Sequence, residues 1–460
     1  MQRLLAIAWL TWKAALRYRL FWVLAALLVG AVVGLPLLIK DDGTARGFTQ
    51  ILMTYTLSAI TALLGIATLW LACGTLARDI EEAQIQLVVV KPIARWQIWI
   101  GKWLGLISLN AVLLALAGGS VFFLLQWRAN RLSPQEQKIL RNEVLVARAG
   151  VKEVLPDINE VVEKELQRRL QSSSVNATNI PAIRKQIQEQ IKAGIQSVRA
   201  GGYRPWKIQL GRAKDSLRDQ PLFLRVKFFT PQSGSSATFI GLWQVGNPDT
   251  KNFWRSEPMS LSAETFHEFA VPANLFDSKG ELDIVFVNPN ETTLLFPLED
   301  GLEVLYREGT FALNFVRGLG IIFCWLALLA TLGLATASLL SFPVAAFVSL
   351  AVLVMALSSG TLSSVVQEGT LLGVNHESGA AEASSLLDTI FIPFFKAALK
   401  VINLVQGFSP IDSLSTGRSI TWTQLGTAVA QIVLLLGGIM SVIGIILFHR
   451  RELGAAQSNS

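Results

Sequence analysis

Apolar residues collect at the two ends of the chain, while the middle breaks them into short runs divided by charge and turn residues. A bilayer core takes about 20 consecutive apolar residues per helix. Six stretches reach or approach that length: 20–39, 51–76, 99–127, 311–340, 344–359 and 425–448. The fourth is long enough to tilt or to run beyond the bilayer. The fifth is short, and only Ser341-Phe342-Pro343 separates it from the fourth, a tight turn that proline helps to enforce. A further apolar stretch, 386–405, carries Asp388, Lys396 and Lys400, and its two lysines, four apart, share a helix face. It reads as an interfacial or re-entrant helix on the outer side, not as a seventh span. Ahead of the first span, 4–19 spaces basic residues among Trp9, Trp12 and Tyr18, which predicts an amphipathic helix.

Roughly 180 residues, 128–310, lie between the third and fourth spans, an ordinary domain size. Their pattern has two textures. Residues 133–200 are charge-rich and helical in spacing: Ser133-Pro134-Gln135-Glu136 reads as an N-cap with proline in the first turn. Apolar positions then recur at Val151, Leu155, Ile158, Val162 and Leu166. Ser172-Ser173-Ser174 and Asn179-Ile180-Pro181 turn the chain into a second helix over 182–198, so a helical hairpin is predicted. After Gly201-Gly202 come short runs at 206–210, 222–230, 238–245, 265–271, 282–287 and 302–306, several rich in β-branched or aromatic residues. Pro231-Gln232-Ser233-Gly234, Asn247-Pro248-Asp249 and Asn288-Pro289-Asn290 divide them, and that spacing predicts a β-sandwich over 204–308. Trp243, Phe253 and Trp254 have two readings, a ligand-facing surface or sandwich core and rim.

The predicted fold is thus a polytopic α-helical membrane protein with six transmembrane helices. An extracytoplasmic α+β domain, the hairpin plus the sandwich, sits between helices 3 and 4. The portions are 1–127, 128–310 and 311–460. Composition agrees, with 16% charged residues against roughly 25% in soluble proteins. With the N-terminus cytoplasmic, the inner segments carry Arg3, Lys13, Arg17, Arg19, Arg78, Lys91, Arg95, Lys102, Arg450 and Arg451. The short outer loops carry only Lys40, Arg46, Lys396, Lys400 and Arg418, a positive-inside bias that also sets the C-terminus inside. The net charge of +7 comes without a basic patch interleaved with aromatics, which gives no basis for nucleic-acid binding. Cys73 and Cys324 fall inside apolar runs, as helix-packing residues rather than a disulfide. His267, His376 and His449 are scattered, and no catalytic or metal-ligand constellation is seen. No phosphate-cradling glycine loop occurs either, so no cofactor is expected in this chain.

The most informative stretch lies between the second and third spans: Ala77-Arg78-Asp79-Ile80-Glu81-Glu82, then Gln86 to Arg95 with Pro92 inside it, then Ile100-Gly101-Lys102-Trp103. Pro92 interrupts a continuous helix, and a short charged helix on the cytoplasmic membrane surface is predicted. In this order of features the chain resembles the type-2 ABC export permeases. In that family an acidic residue, an apolar run, proline, a small residue, arginine and Gly-Lys follow one another between these spans. The matching positions are Glu81, Glu82, Pro92, Arg95, Gly101 and Lys102. Where family members often carry Gly-Thr before the apolar run, this chain has Ala83-Gln84-Ile85-Gln86. The N-terminal amphipathic helix, the Ser341-Phe342-Pro343-Val344-Ala345 turn and the ending His449-Arg450-Arg451-Glu452-Leu453 also agree. The resemblance covers both membrane portions and not the domain between them.

That resemblance implies a bacterial inner-membrane permease subunit, not itself an enzyme, whose coupling helix fits a groove on a separate ABC ATPase that binds the ATP. A second copy or a paralogue would complete the path, and the outer domain offers a surface for a periplasmic partner. Asn110, Asn314 and Arg317 are candidate pathway residues, since polar groups within spans face protein or a cavity. Interhelical bonding for Asn110 and snorkelling for Arg317 stand beside that reading. The alternatives are an ABC mechanotransmitter that drives its periplasmic domain, a membrane-anchored binding or assembly protein without an ATPase, and a membrane enzyme.

Overall fold

Helical periodicity at the start of the chain becomes helix throughout. The structure, a computed structural model, describes residues 2–17, 19–38, 44–82, 93–154, 158–171, 180–230, 238–247, 252–368 and 386–451. Helices α1 (Gln2–Arg17) and α2 (Arg19–Leu38) precede two long ones, α3 (Ala45–Glu81) and α4 (Arg95–Ala129). Thr44 caps α3, accepting a bond from the Gly47 amide at 3.1 Å. A short helix α5 (Pro134–Ile139) follows, with Ser133 capping it through the Glu136 amide as its sequence requires. Residues 134–144 fold back onto the start of α3. Glu136 accepts from the Ala45 amide at 2.6 Å, and Glu143 pairs with Arg46 at 3.1 Å. The chain accordingly divides at Val146, into Met1–Val146 with Thr310–Ser460 and a separate unit Ala147–Gly309.

The second unit begins with strand β1 (Val146–Val151), then α6 (Ile158–Gln171) and α7 (Ile180–Gln196). The two helices pack through Val162, Leu166 and Ile187, the apolar positions of the expected hairpin. The hairpin is shorter than its spacing predicts, because Val151 belongs to a strand and residues 197–198 form β2 (Ser197–Val198). Val146 and Ala147 are both buried and β1 pairs with β11, so strand pairing overrides the helical pattern there. The remaining strands are β3 (Tyr203–Gln209), β4 (Leu222–Val226), β5 (Thr238–Asn247), β6 (Asn252–Arg255), β7 (Met259–Ser262), β8 (His267–Val271), β9 (Glu281–Val287), β10 (Leu294–Leu295) and β11 (Leu302–Thr310). They build a four-stranded sheet ordered β1-β11-β4-β8 and a larger one ordered β3-β9-β5-β6, to which β7 adds through β5.

One apolar core draws on both sheets, with Trp206, Trp243 and Phe286 from the larger and Leu224, Val226 and Val304 from the smaller. Trp243 is 1% exposed and stacks among Trp206, Phe286 and Phe296, which assigns it to the core. Trp254 packs at its edge, and Phe253 is exposed. Glu153 faces Arg204 at 3.6 Å, and burial pushes its carboxyl up against the opposing pull of that guanidinium.

Back in the first unit, α8 (Phe311–Ala337) leads to α9 (Phe342–Leu357) and α10 (Ser359–Glu368). Phe342 and Pro343 open α9 itself, with Ser341 at its N-cap. Then come α11 (Leu386–Gln406), α12 (Pro410–Ser415), α13 (Trp422–Ala428) and α14 (Gly438–Arg450), the last two joined by wider π turns over Val429–Gly437. Among the described residues, six helical segments are long and apolar enough to cross a membrane: Phe21–Leu38, Ala45–Glu81, Arg95–Ala129, Phe311–Ala337, Leu387–Ser415 and Trp422–Arg450.

Five of these coincide with expected spans. The expected fifth span, 344–359, is a 16-residue helix that bends by 64° into α10, and the two together pass the same length and composition test as one broken span or re-entrant loop. The stretch containing α11, expected as an interfacial or re-entrant helix, is also long and apolar enough to cross, and none of its apolar window is buried. Helix α3 is the centre of the unit, packed by α2, α4, α8 and α9. Both cysteines are free and buried in these helices.

Candidate functional site

The matching positions that the structure describes converge where α3 ends and α4 begins. Pro92 and residues 83–91 lie outside the described residues. Glu82, the last described residue before them, is exposed.

Glu81 accepts a bond from the Phe342 amide at 2.8 Å, a carboxylate at the N-terminus of α9, where the helix dipole favours negative charge. Arg95 does the reverse at a C-terminus. Its Nη1 donates to the carbonyls of Phe448, His449 and Arg451 at 3.1, 2.7 and 2.9 Å and so satisfies orphan acceptors of α14. Arg451 repeats the pattern, with Nη1 donating to Ala337, Ser338 and Leu340 carbonyls at the end of α8. The Arg78 guanidinium lies 4.3 Å from the centre of the Phe342 ring. One turn into α4, Trp99 donates through Nε1 to Ser338 Oγ at 3.2 Å.

Lys102 is buried. Its Nζ donates to Asp79 Oδ2 at 2.6 Å and to the Thr75 carbonyl at 2.7 Å, tying α4 to the last turns of α3. Gly101 has a packing role. A Cβ there would meet Ile7 Cβ at 2.7 Å, and one at Gly105 would meet Thr11 Cβ at 2.7 Å and the Ala8 carbonyl at 2.8 Å. Only glycine lets α1 lie this close to α4. Trp12 Nε1 adds a bond to Ser108 Oγ at 2.8 Å.

Glu81, Arg95, Gly101 and Lys102 therefore form one node in which the ends of α3, α4, α8, α9 and α14 meet. Sequence reasoning did not single out Asp79, Trp99, Ser338 or Arg451 as members. Asp79 carried a usable signal, since an acid just past an apolar helix and a lysine on the next one require partners. The Arg451 and Ser338 contacts depend on helix ends far apart in the chain and had none.

Of the three pathway candidates, Asn314 and Arg317 meet at one turn and Asn110 binds elsewhere. Asn314 is fully buried and grips a turn, with Nδ2 donating to the Arg418 carbonyl and Oδ1 accepting from the Ile420 amide, both at 2.7 Å. Arg317 holds the same turn, donating to the Ile420 carbonyl at 2.9 Å with its guanidinium 4.6 Å from the Trp422 ring. Asn110 accepts from Thr68 Oγ1 at 3.1 Å between α3 and α4, and its Nδ2 has no partner among the described residues. None of the three lines either of two grooves that run along the described helices. One, of about 490 Å³, runs between α4 and α8 past Leu114, Phe122, Phe315 and Phe323; the other, of about 430 Å³, runs between α2 and α4. Both are apolar.

Compared with models of protein families, with curated proteins and with solved structures, the chain has no match.

Proposed function

We propose that this chain is the membrane subunit of an ABC exporter of the bacterial inner membrane, coupled to an ATPase on a separate polypeptide. The observation that carries the reading is the node around residues 83–92. The chain leaves the node at Glu82 and re-enters it at Ile93, between two residues, Glu81 and Arg95, that clamp the termini of other helices. A push on that segment reaches α3 and α4 directly, and α8, α9 and α14 through fixed hydrogen bonds. A coupling segment needs that connection, because force from nucleotide-driven closure must move several spans at once. The charge bias sets the node, both termini and residues 83–92 on the cytoplasmic side, with Ala147–Gly309 on the other. ATP is bound by the partner, and two permease copies, or this chain with a paralogue, form the path.

A second reading is an ABC mechanotransmitter, in which the same motion works the outer domain. It is favoured by the separate core of Ala147–Gly309, large enough to act as a tool in its own right. The two readings divide on whether sealed vesicles holding the complex accumulate substrate.

The test common to both is a single thiol introduced as Gln86→Cys, carrying a short cross-linker in the native membrane. The expected adduct contains a polypeptide with a phosphate-binding glycine loop, identified by mass spectrometry, and its yield changes when ATP is added. Adducts without any nucleotide-binding protein would leave a membrane-anchored binding protein as the surviving interpretation.

A further inference from the structure

Helix α11 divides lengthwise into three sectors. Asp388 is buried, and Ile392, Phe395, Leu399 and Ile402 are half-buried along the same side. Gln406 at its end donates to Ser359 Oγ at 2.6 Å and fastens the helix to α10. The next sector is apolar and exposed: Leu387, Ile390, Phe391, Phe394 and Val401, with Ile390 67% open. The third holds Lys396 and Lys400, one turn apart and exposed, and neither pairs with a carboxylate among the described residues.

A membrane-crossing orientation would put both lysines near the middle of this 21-residue helix, where a charged side chain is strongly disfavoured. An orientation along the interface removes the conflict. The apolar sector sinks into the acyl region while the ammonium groups stay at headgroup level. Two unpaired point charges one turn apart, beside a stripe of apolar side chains, complement an anionic headgroup attached to acyl chains.

We propose that α11 is a binding surface for an acidic phospholipid, Lys396 and Lys400 holding the headgroup phosphate and the Phe391–Phe394 stripe its chains. The proposal rests on the membrane part of the function proposed above and is independent of the ATPase.

The experiment uses the full chain in vesicles, with Ala397→Cys carrying an environment-sensitive fluorophore. The native thiols, at 0% and 2% exposure, stay unlabelled. Nitroxide-labelled phosphatidylglycerol and phosphatidylcholine are compared as quenchers at equal mole fraction. The expected result is a local enrichment of the acidic lipid of roughly thirtyfold, from about 1 kcal/mol for each of the two lysines near a charged surface. Lys396→Gln/Lys400→Gln should equalise the two lipids while leaving quenching by phosphatidylcholine unchanged. Equal quenching in the unsubstituted helix, or a preference that survives the double substitution, would overturn the proposal. So would quenching that is strongest for nitroxides at mid-bilayer, the signature of a spanning helix, or no quenching by either lipid.

Discussion

Lys102 and Asp79 illustrate how a residue matched by family pattern acquires a physical reason from its surroundings. The lysine side chain is 8% exposed and the aspartate 29%, so neither has free access to water and each is compensated by the other. Removing one member of such a pair leaves an uncompensated charge, which costs about 3–5 kcal/mol in well-buried cases and less here, where Asp79 is partly solvated. Lys102→Met should therefore lower the unfolding temperature of the detergent-solubilised protein clearly. Lys102→Met/Asp79→Leu should recover part of the loss, because no charge is then stranded. A double variant as unstable as the sum of the two single ones would mean that the contact contributes nothing. Arg95 and Glu81 differ in kind, since each satisfies backbone groups at the end of another helix. Charge reversal at either would loosen α14 or α9 as well as any partner contact. Loss of coupling in those variants alone would therefore not locate an interface.

At the scale of elements, α1 owes its place to two missing side chains. Gly101 and Gly105 are one turn apart on α4, and Ile7 and Thr11 fill the space a Cβ would take. Gly105→Val should displace α1 from α4 while leaving the longer helices intact. Ala15, at 0% exposure, reports the change: a thiol introduced there as Ala15→Cys should be protected from a water-soluble maleimide in the parent and react readily in the Gly105→Val background. Continued protection would show that α1 is held by other contacts.

Elements of this kind were legible where local periodicity decides the outcome. The amphipathic start, five of the apolar helices, the Ser133 cap and the apolar positions of the α6–α7 pair all follow from spacing. What spacing could not supply was set by distant partners. Strand β1 pairs with β11, more than 150 residues away, against a helical pattern. Strands β6 and β7 are only four residues long, and they form because β5 offers both a bonding edge. The bend after α9 and the apolar length of α11 show the limit of counting apolar residues, since hydropathy alone does not tell a bent pair from a straight span. The site was legible as a set of residue types and not as a geometry. Nothing in the order of Glu81, Arg95 and Lys102 foretold that they would grip helix ends supplied by residues 337–342 and 448–451.

The whole molecule consists of two parts with separate cores, one of long apolar helices and one of β-sheets with a helical pair. The functional account requires residues 83–92 of the first part and the whole of the second part to lie on opposite sides of a bilayer, with residues 83–92 facing the nucleotide-driven partner. Sidedness is therefore its most direct test. A single thiol as Gln86→Cys and another as Ser260→Cys, at the exposed position of strand β7 in the second unit, are probed with a membrane-impermeant maleimide in sealed vesicles of known orientation. The account predicts that Gln86→Cys reacts only from the cytoplasmic face and Ser260→Cys only from the opposite one. Labelling of both from the same face, or of Gln86→Cys from the outer face, would contradict it.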